Sequence, residues 1–296
     1  RRPHSSGSGR QTCGYGGVIS RRAMIERATT QLAEAGIADP GRDARVLLRW
    51  SSGLDGASLT SRLSDSPDPA EASRFTTAIA QRSRRMPVSH ITGRRAFSGL
   101  EFTVTSDVLD PRPETESLIE VALERPSKHV LDLGTGSGCI LITLLKEWEK
   151  STGVGVDRSD LALAVARLNA TDLGVGPRSS WLVGSWYEPV SGPFDLIVAN
   201  PPYLSDEEFE VAQPELQYEP RDALTPGGDG LDAYRVIAAQ ATEHLTTNGR
   251  LILEIGMTQA HQVSVLLADA GLVAINVHPD LDGRDRIISA RFDGKS

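Results

Sequence analysis

From Thr115 to its end, the chain alternates short apolar runs, typical of buried strands, with segments of helical periodicity. Strands alternating with helices predict a parallel sheet covered by helices on both faces. Ligands of such sheets bind beyond the carboxyl ends of the strands, near the switch in strand order. The predicted strands occupy residues 129–133, 154–157, 181–183, 194–200 and 250–256, followed by a terminal pair, and a helix is predicted over 231–245.

The residues before this region have a different character. Apolar residues recur at helical spacing after Ser20, Pro40 and Pro69, which predicts a small helical bundle that begins with Ser20 as an N-cap. Residues 88–105 then alternate around Ser98-Gly99, which predicts a β-hairpin. The expected organisation is a disordered leader (1–18), a helical domain (19–86), a hairpin linker (87–110) and a catalytic domain (111–296).

Composition excludes several classes of protein. Only Cys13 and Cys139 occur among 296 residues, so a disulfide framework and a cysteine-based zinc site are both excluded. No apolar run reaches the ~18–20 residues of a membrane span. Two cysteines far apart in the chain fit a reducing, cytoplasmic compartment. We also expect a monomer that uses no metal and binds no membrane.

Charge is divided unevenly along the chain. Residues 1–100 carry a net +8 and residues 101–296 a net −16. One interpretation is a bias towards arginine on a solvated helical surface. The other is that the basic helical domain recognises an acidic partner, such as a protein substrate. The acidic second part disfavours a catalytic domain that holds a nucleic-acid backbone by charge alone.

A glycine-rich turn follows the first predicted strand and opens a helix. Its G-x-G-x-G spacing differs from the G-x-G-x-x-G of dinucleotide-binding proteins, which disfavours a nicotinamide oxidoreductase. Preceded by an acidic residue, the shorter form resembles motif I of class I S-adenosylmethionine-dependent methyltransferases, although such a turn can also bind nothing. The candidate cofactor-binding residues are Asp132, Gly134, Thr135, Gly136, Ser137 and Gly138.

Asp157 ends the second predicted strand. An acidic residue there can accept hydrogen bonds from both ribose hydroxyls of a nucleoside. Its alternative role is to N-cap the helix that follows, and the two roles are compatible.

The tetrapeptide Asn200-Pro201-Pro202-Tyr203 follows the 194–200 run. A planar amide or aromatic amine is a poor nucleophile because its lone pair is delocalised. The Asn200 side-chain oxygen and the Pro201 carbonyl can each accept one N–H, which favours pyramidalisation and frees the lone pair for attack on a sulfonium methyl group. Pro202 stiffens the loop and Tyr203 can pack against the planar group. The alternative is a rigid proline turn without catalytic function.

Together these segments resemble the HemK/PrmC family of protein-glutamine methyltransferases, which modify peptide chain release factors. The resemblance covers residues 20–296. Its most specific carriers are PRPETE (111–116), NPPY (200–203) and GGDGLDAYR (227–235). It implies a class I S-adenosylmethionine-dependent methyltransferase with a Rossmann-like, seven-stranded, mostly parallel sheet, a small N-terminal helical domain and a β-hairpin linker.

The resemblance also implies roles for individual residues. Residues 134–138 would hold the methionine part of S-adenosyl-L-methionine, Asp157 its ribose and Trp186 its adenine. Asn200 would bridge cofactor and substrate, residues 200–203 would form the glutamine pocket, and the loop 111–116 would close over the cofactor. The chain departs from the family pattern at Asp110, where an aliphatic residue is usual, at His90, where tyrosine is common, and at Ser185, where an acidic residue is usual. We interpret His90 as a structural residue of the hairpin.

The implied substrate is the glutamine of the Gly-Gly-Gln motif in peptide chain release factors, methylated on its side-chain amide nitrogen. A related group modifies a ribosomal protein and shares NPPY, so that substrate stays open. Adenine methylation of DNA or RNA uses the same tetrapeptide but needs a recognition module and phosphate contacts. A protein that binds the cofactor without catalysis is disfavoured because every expected catalytic position is filled.

Overall fold

The computed structural model describes residues 19–294. Two compact units divide the chain between Val88 and Ser89. The predicted leader, residues 1–18, lies outside the described residues. Among those described, no helix is long and apolar enough to span a bilayer.

The first unit is helical. Ser20 accepts a hydrogen bond from the backbone N–H of Ala23, and Pro40 and Pro69 begin the next long helices, so the predicted helix starts are confirmed. A short helix between them was not predicted. The unit contains α1 (Arg21–Glu34), α2 (Pro40–Ser52), α3 (Gly56–Ser61) and α4 (Pro69–Ser83).

The core of this unit is apolar, but two arginines also lie inside it. The buried apolar side chains include Leu32, Leu47, Leu48, Phe75 and Ile79. Arg21 donates two hydrogen bonds to Glu71, at 2.7 and 2.6 Å, and Arg82 donates one to Asp43 at 2.7 Å. Part of the positive charge of the unit is therefore neutralised within it.

The hairpin is shorter than predicted. It consists of β1 (Arg94–Phe97) and β2 (Leu100–Thr103), joined at Ser98-Gly99. Val88–Thr92 instead forms a short helix, α5, between Pro87 and Gly93, which has a positive φ of 70°. Pro87 favours a helix start and Gly93 a helix end. His90 therefore lies on α5, and our placement of it in the hairpin was wrong.

The second unit contains a seven-stranded sheet in the order β5-β4-β3-β6-β7-β9-β8, and only β9 runs antiparallel to its neighbours. The strands are β3 (His129–Leu133), β4 (Thr152–Asp157), β5 (Ser179–Val183), β6 (Phe194–Ala199), β7 (Leu245–Glu254), β8 (Val273–Pro279) and β9 (Asp285–Arg291). The helices are α6 (Glu116–Leu123), α7 (Cys139–Glu147), α8 (Asp160–Asp172), α9 (Asp206–Glu210), α10 (Asp232–His244) and α11 (Ala260–Asp269).

Two segments differ from the prediction. β7 begins at Leu245 rather than at residue 250. It includes Asn248, which has a φ of 66°, and its pairing with β6 is irregular between Phe194 and Leu196. The segment after β6, whose sequence predicts a long loop up to about Gly230, is partly helical: α9 begins at a capping box between Ser205 and Glu208, and two 3-10 turns follow it.

The strand order places the switch point between β3 and β6. From β3 the chain continues outward through β4 and β5, then crosses to β6 on the other side of β3. Crossovers that leave in opposite directions open a crevice at the carboxyl ends of the strands. The glycine-rich turn after β3 and the tetrapeptide after β6 both lie at that crevice.

Candidate functional site

The glycine-rich turn after β3 needs its glycines for two different reasons. Gly134, Gly136 and Gly138 all have positive φ values, of 69°, 53° and 79°. A Cβ on Gly138 would lie 2.9 Å from Ile142 and 3.0 Å from Trp181, so this glycine permits close packing against the sheet. Gly134 and Gly136 instead line a cavity, where the lack of side chains exposes backbone to a ligand.

Asp132 lies beneath the turn and is fully buried. Its Oδ2 accepts a hydrogen bond of 2.6 Å from the Thr135 hydroxyl, while its Oδ1 has no partner among the described residues. Burial raises the pKa of Asp132 to about 7. In this structure Asp132 and Thr135 stabilise the turn from below and do not line the cavity.

Asn169 on α8 connects the turn to the hairpin. Its side chain bonds both backbone groups of Thr103, at 2.8 and 3.0 Å, and donates to the Ser137 carbonyl at 2.9 Å. Ser137 is thus bound through its backbone from behind the turn. No motif in the sequence marked Asn169, because its partners are distant in the chain.

Asp157, at the end of β4, projects into the same cavity. Its two oxygens accept backbone N–H groups of Gly136 and Ser159, each at 2.9 Å. Ser159, not Asp157, caps α8, so the alternative role of Asp157 as an N-cap was wrong. An ionised carboxylate offers about four acceptor positions, so Asp157 can still accept from a ligand.

The cavity has a volume of about 320 Å³, within the range of small-molecule sites. Its lining brings together six predicted residues: Gly134, Gly136, Asp157, Trp186, Asn200 and Pro202. The other six predicted residues are not in that lining: Asp132, Thr135, Ser137, Gly138, Pro201 and Tyr203.

Trp186 has a positive φ of 50° and follows Ser185 on the cavity wall. Its ring approaches to 3.8 Å the position a Cβ would take on Gly134. The backbone N–H of Ser185 donates to Glu188 at 3.1 Å, so a carboxylate lies three residues beyond the usual acidic position.

Asn200 begins a chain of hydrogen bonds that leads away from the cavity. Its Nδ2 donates to the Thr115 hydroxyl at 3.1 Å, and that hydroxyl donates to the Glu254 carboxylate at 2.6 Å. Thr115 and Glu254 are 2% and 1% exposed. Burial raises the pKa of Glu254 to about 7. No motif singled out Thr115 or Glu254, although Thr115 lies in PRPETE (111–116) and Glu254 in the strand predicted over 250–256.

The rest of the tetrapeptide is held from behind. Pro201 is buried, and the Tyr203 carbonyl accepts a 2.9 Å hydrogen bond from Gln259. A Cβ on Gly230, where φ is 77°, would lie 2.4 Å from that carbonyl. Burial raises the pKa of the Tyr203 hydroxyl, which keeps it neutral. The glycines after the tetrapeptide therefore allow the chain to pass close behind it.

Two further loops complete the wall. Asp107, Val108 and Leu109 line the cavity from one loop, and Pro220, Asp222 and Ala223 line it from another. Residues 111–116 are not in the lining; their 3-10 turn lies next to Asn200 instead. Arg158 and Asp222 form an exposed ion pair at 3.0 Å on the wall. The sequence offered no signal for this pair.

Glu219 joins those two loops and is itself buried. Its oxygens accept from the backbone N–H of Asp110 at 3.1 Å and from Arg112 at 2.5 Å. The unusual Asp110 also lies 3.4 Å from Arg95 of the hairpin. Burial lowers the pKa of nearby His90, so its imidazole is neutral. Asp110 thus belongs to a charge cluster that fixes the loops.

The arrangement is suited to an adenosyl ligand with an alkyl sulfonium group. It combines glycine backbone, an aspartate with spare acceptor capacity, an indole ring and a side-chain amide. Among residues 19–294, no group of three or more metal-ligating side chains is suited to hold an ion.

Comparison with known proteins gives two family matches. Residues 23–93 match the PrmC N-terminal domain, and residues 106–231 match the methyltransferase small domain. The release factor glutamine methyltransferase of Cereibacter sphaeroides is 50% identical over 269 residues, 90% of this chain and 97% of that protein. That of Rhodospirillum rubrum is 40% identical over 90% of this chain and 84% of that protein.

A solved structure shares the fold at low identity. The crystal structure of a methyltransferase from Pyrococcus furiosus superposes with a TM-score of 0.52 at 15% identity. The match covers 76% of this chain and 98% of that one. At this identity the likeness shows the fold alone.

Proposed function

This chain belongs to the release factor glutamine methyltransferase family, and from that premise we propose how its cavity methylates a release factor. It is an S-adenosyl-L-methionine-dependent methyltransferase with the predicted class I fold. The substrate that we propose is the glutamine of the Gly-Gly-Gln motif in a peptide chain release factor. The side-chain amide nitrogen of that glutamine receives the methyl group.

When bound, S-adenosyl-L-methionine supplies an electrophilic methyl group on a sulfonium centre. We propose that the backbone of Gly134 and Gly136 holds the methionine part of the cofactor, and that Asp157 accepts hydrogen bonds from both ribose hydroxyls. Trp186 contributes an aromatic surface for adenine. The support for these roles is the shared lining of one cavity and the spare acceptor capacity of Asp157.

We propose that Asn200 and Pro201 activate the amide. The Asn200 Oδ1 accepts one N–H of the glutamine and the Pro201 carbonyl accepts the other, so the nitrogen lone pair points at the methyl group. Both acceptors bind more strongly as positive charge develops on nitrogen, so they act mainly in the transition state. No general base is needed, because the methylated amide loses its proton readily. Pro202 stiffens the loop, and Tyr203 packs against the amide plane.

The observation that carries this proposal is the position of Asn200. It follows β6 directly, lines the same cavity as Gly134, Gly136 and Asp157, and donates through Nδ2 to Thr115. Its Oδ1 therefore faces away from Thr115 and is available to a substrate amide.

We also propose that the helical unit recognises the release factor. We further propose that the enzyme acts as a monomer in the cytoplasm. The support for recognition is the exposed arginines of the helical unit: Arg22, Arg27, Arg42, Arg45, Arg49 and Arg62. They contrast with the net −16 of residues 101–296, which also argues against a direct nucleic-acid substrate.

A transfer assay tests the function. The enzyme is incubated with methyl-labelled cofactor and one of four acceptors: a release factor, the same factor with its Gly-Gly-Gln glutamine changed to alanine, ribosomal proteins, or an oligonucleotide. We expect label only in the unmodified release factor, with the mass of one methyl group on the tryptic peptide that contains the motif. Label in ribosomal protein or oligonucleotide instead would contradict the proposed substrate.

A further inference from the structure

The hydrogen bonds behind Asn200 join three distant parts of the chain. Asn200 follows β6, Thr115 ends the 3-10 turn before α6, and Glu254 ends β7. Asn200 and Thr115 are 85 residues apart, and Thr115 and Glu254 are 139 residues apart. Three side chains from separate elements form one chain that ends in the cavity.

When Glu254 is ionised, the chemistry of these groups fixes the direction of every bond. An ionised carboxylate can only accept, so the Thr115 hydroxyl donates its one hydrogen to Glu254. The Thr115 oxygen then has only lone pairs left for its second partner, 3.1 Å away. That partner must be a donor, so the NH₂ of Asn200 points at Thr115 and the Asn200 oxygen points the other way.

We propose that Thr115 and Glu254 are positioning residues that hold the Asn200 carboxamide with its oxygen towards the substrate. This rests on the proposed function. A glutamine amide presents two N–H donors, so a flipped Asn200 would oppose donor with donor and lose the catalytic hydrogen bond. Amide groups flip at little cost unless their partners discriminate oxygen from nitrogen. Glu254, acting through Thr115, provides that discrimination.

The cost of burying Glu254 supports this role. Glu254 is 1% exposed as a residue, and within residues 19–294 its carboxylate accepts from Thr115 but forms no salt bridge. An unpaired buried carboxylate destabilises a fold, and an apolar residue there would pack at lower cost. Specifying one direction of a hydrogen-bond chain is a function that an apolar residue could not perform.

The test compares single-turnover rates at saturating cofactor and release factor, well above the pKa of Glu254. Thr115→Val keeps the shape and removes the hydroxyl, and we expect the rate to fall about tenfold, the value of one net hydrogen bond. Thr115→Ser should recover most of the rate. The matched control is Thr143→Val, which removes a buried hydroxyl that has no partner among the described residues. This variant should have the wild-type single-turnover rate.

Glu254→Gln gives a second measurement. Glutamine can donate to Thr115, which lets the hydroxyl turn to the Asn200 oxygen and stabilise the flipped amide. We expect a loss at least as large as that of Thr115→Val, with cofactor affinity and the KM for release factor unchanged. Unfolding by denaturant checks that each variant is folded, and Thr115→Ala replaces Thr115→Val if the latter is not.

A double-mutant cycle that combines Thr115→Val with Asn200→Ala distinguishes a positioning role of Thr115 from a merely structural one. Without the amide there is nothing to orient, so Thr115→Val should cost less than about twofold in the Asn200→Ala background. An equal loss in both backgrounds would overturn the inference, as would a wild-type rate for Thr115→Val when Asn200→Ala is impaired. A wild-type rate for Asn200→Ala would instead overturn the proposed function.

Discussion

At the scale of single residues, substitution of Asn200 is the most direct test of the proposed mechanism. Asn200→Ala should reduce the single-turnover rate roughly a hundred- to thousand-fold, or ~2.7–4 kcal/mol, as for other preorganised transition-state contacts. The KM for release factor should change little, because the lost interaction strengthens only in the transition state. Asn200→Asp keeps an acceptor but adds charge near the sulfonium, so cofactor binding should tighten while transfer slows. A rate within about threefold of wild type for Asn200→Ala would show that methyl transfer does not take place at the proposed site.

Trp186 is a residue whose contribution should appear in cofactor affinity. Trp186→Ala removes an aromatic surface worth about 1 kcal/mol, so calorimetry should show a several-fold weaker affinity for S-adenosylmethionine. The control is Trp50→Ala, an exposed tryptophan of the helical unit. An unchanged affinity for Trp186→Ala would make this indole a packing residue only.

Buried carboxyl groups should make stability depend on pH. The pKa of Glu254 is raised from 4.5 to about 7 in the folded protein, and that of Asp132 from 3.8 to about 7. The folded state therefore binds more protons, and its free energy of unfolding should fall as pH rises from about 5 to about 8. Each group contributes on the order of 3 kcal/mol. Denaturant unfolding at both pH values should show a smaller drop for Glu254→Gln than for wild type or for the exposed Glu207→Gln. An equal drop in all three would contradict the prediction.

At the scale of elements, Glu219 holds two cavity loops together. Glu219→Ala would leave the buried Asp110 N–H without its acceptor, a loss of ~1–3 kcal/mol. It would also remove the Glu219 partner of the partly exposed Arg112. We expect weaker cofactor binding and faster hydrogen exchange in residues 107–112 and 219–223. The control is Glu210→Ala, an exposed glutamate at the end of α9. Slow exchange and normal affinity in Glu219→Ala would show that packing alone orders these loops.

Element types followed from local sequence, and their exceptions have local causes. The strand at 129–133 was predicted with its observed bounds, since a short apolar run ends directly at a glycine-rich turn. α5 was missed because five residues are too few to show a helical period. The first residues of β7 were missed because Thr-Thr-Asn-Gly is typical of a turn, yet these residues belong to the strand.

At the scale of the whole molecule, charge should govern substrate encounter. Replacing Arg45 and Arg49, which are exposed on α2, by glutamate should raise the KM for release factor and reduce its dependence on salt, because steering acts on association. Cofactor affinity should not change. The matched control replaces the exposed Lys146 and Lys150 by glutamate. An equal rise in KM for both double variants would show a general charge effect rather than recognition by the helical unit.

The sequence by itself determined the α/β class, the helical first part, the glycine-rich turn after β3 and the tetrapeptide after β6. These follow from periodicity and from residue types that a short segment carries complete. Only the tertiary structure decided the strand order, the lining of the cavity and the bonds from Asn200 through Thr115 to Glu254. Strand pairing and side-chain hydrogen bonds between residues 85 and 139 positions apart depend on how whole elements pack, and no local pattern records that.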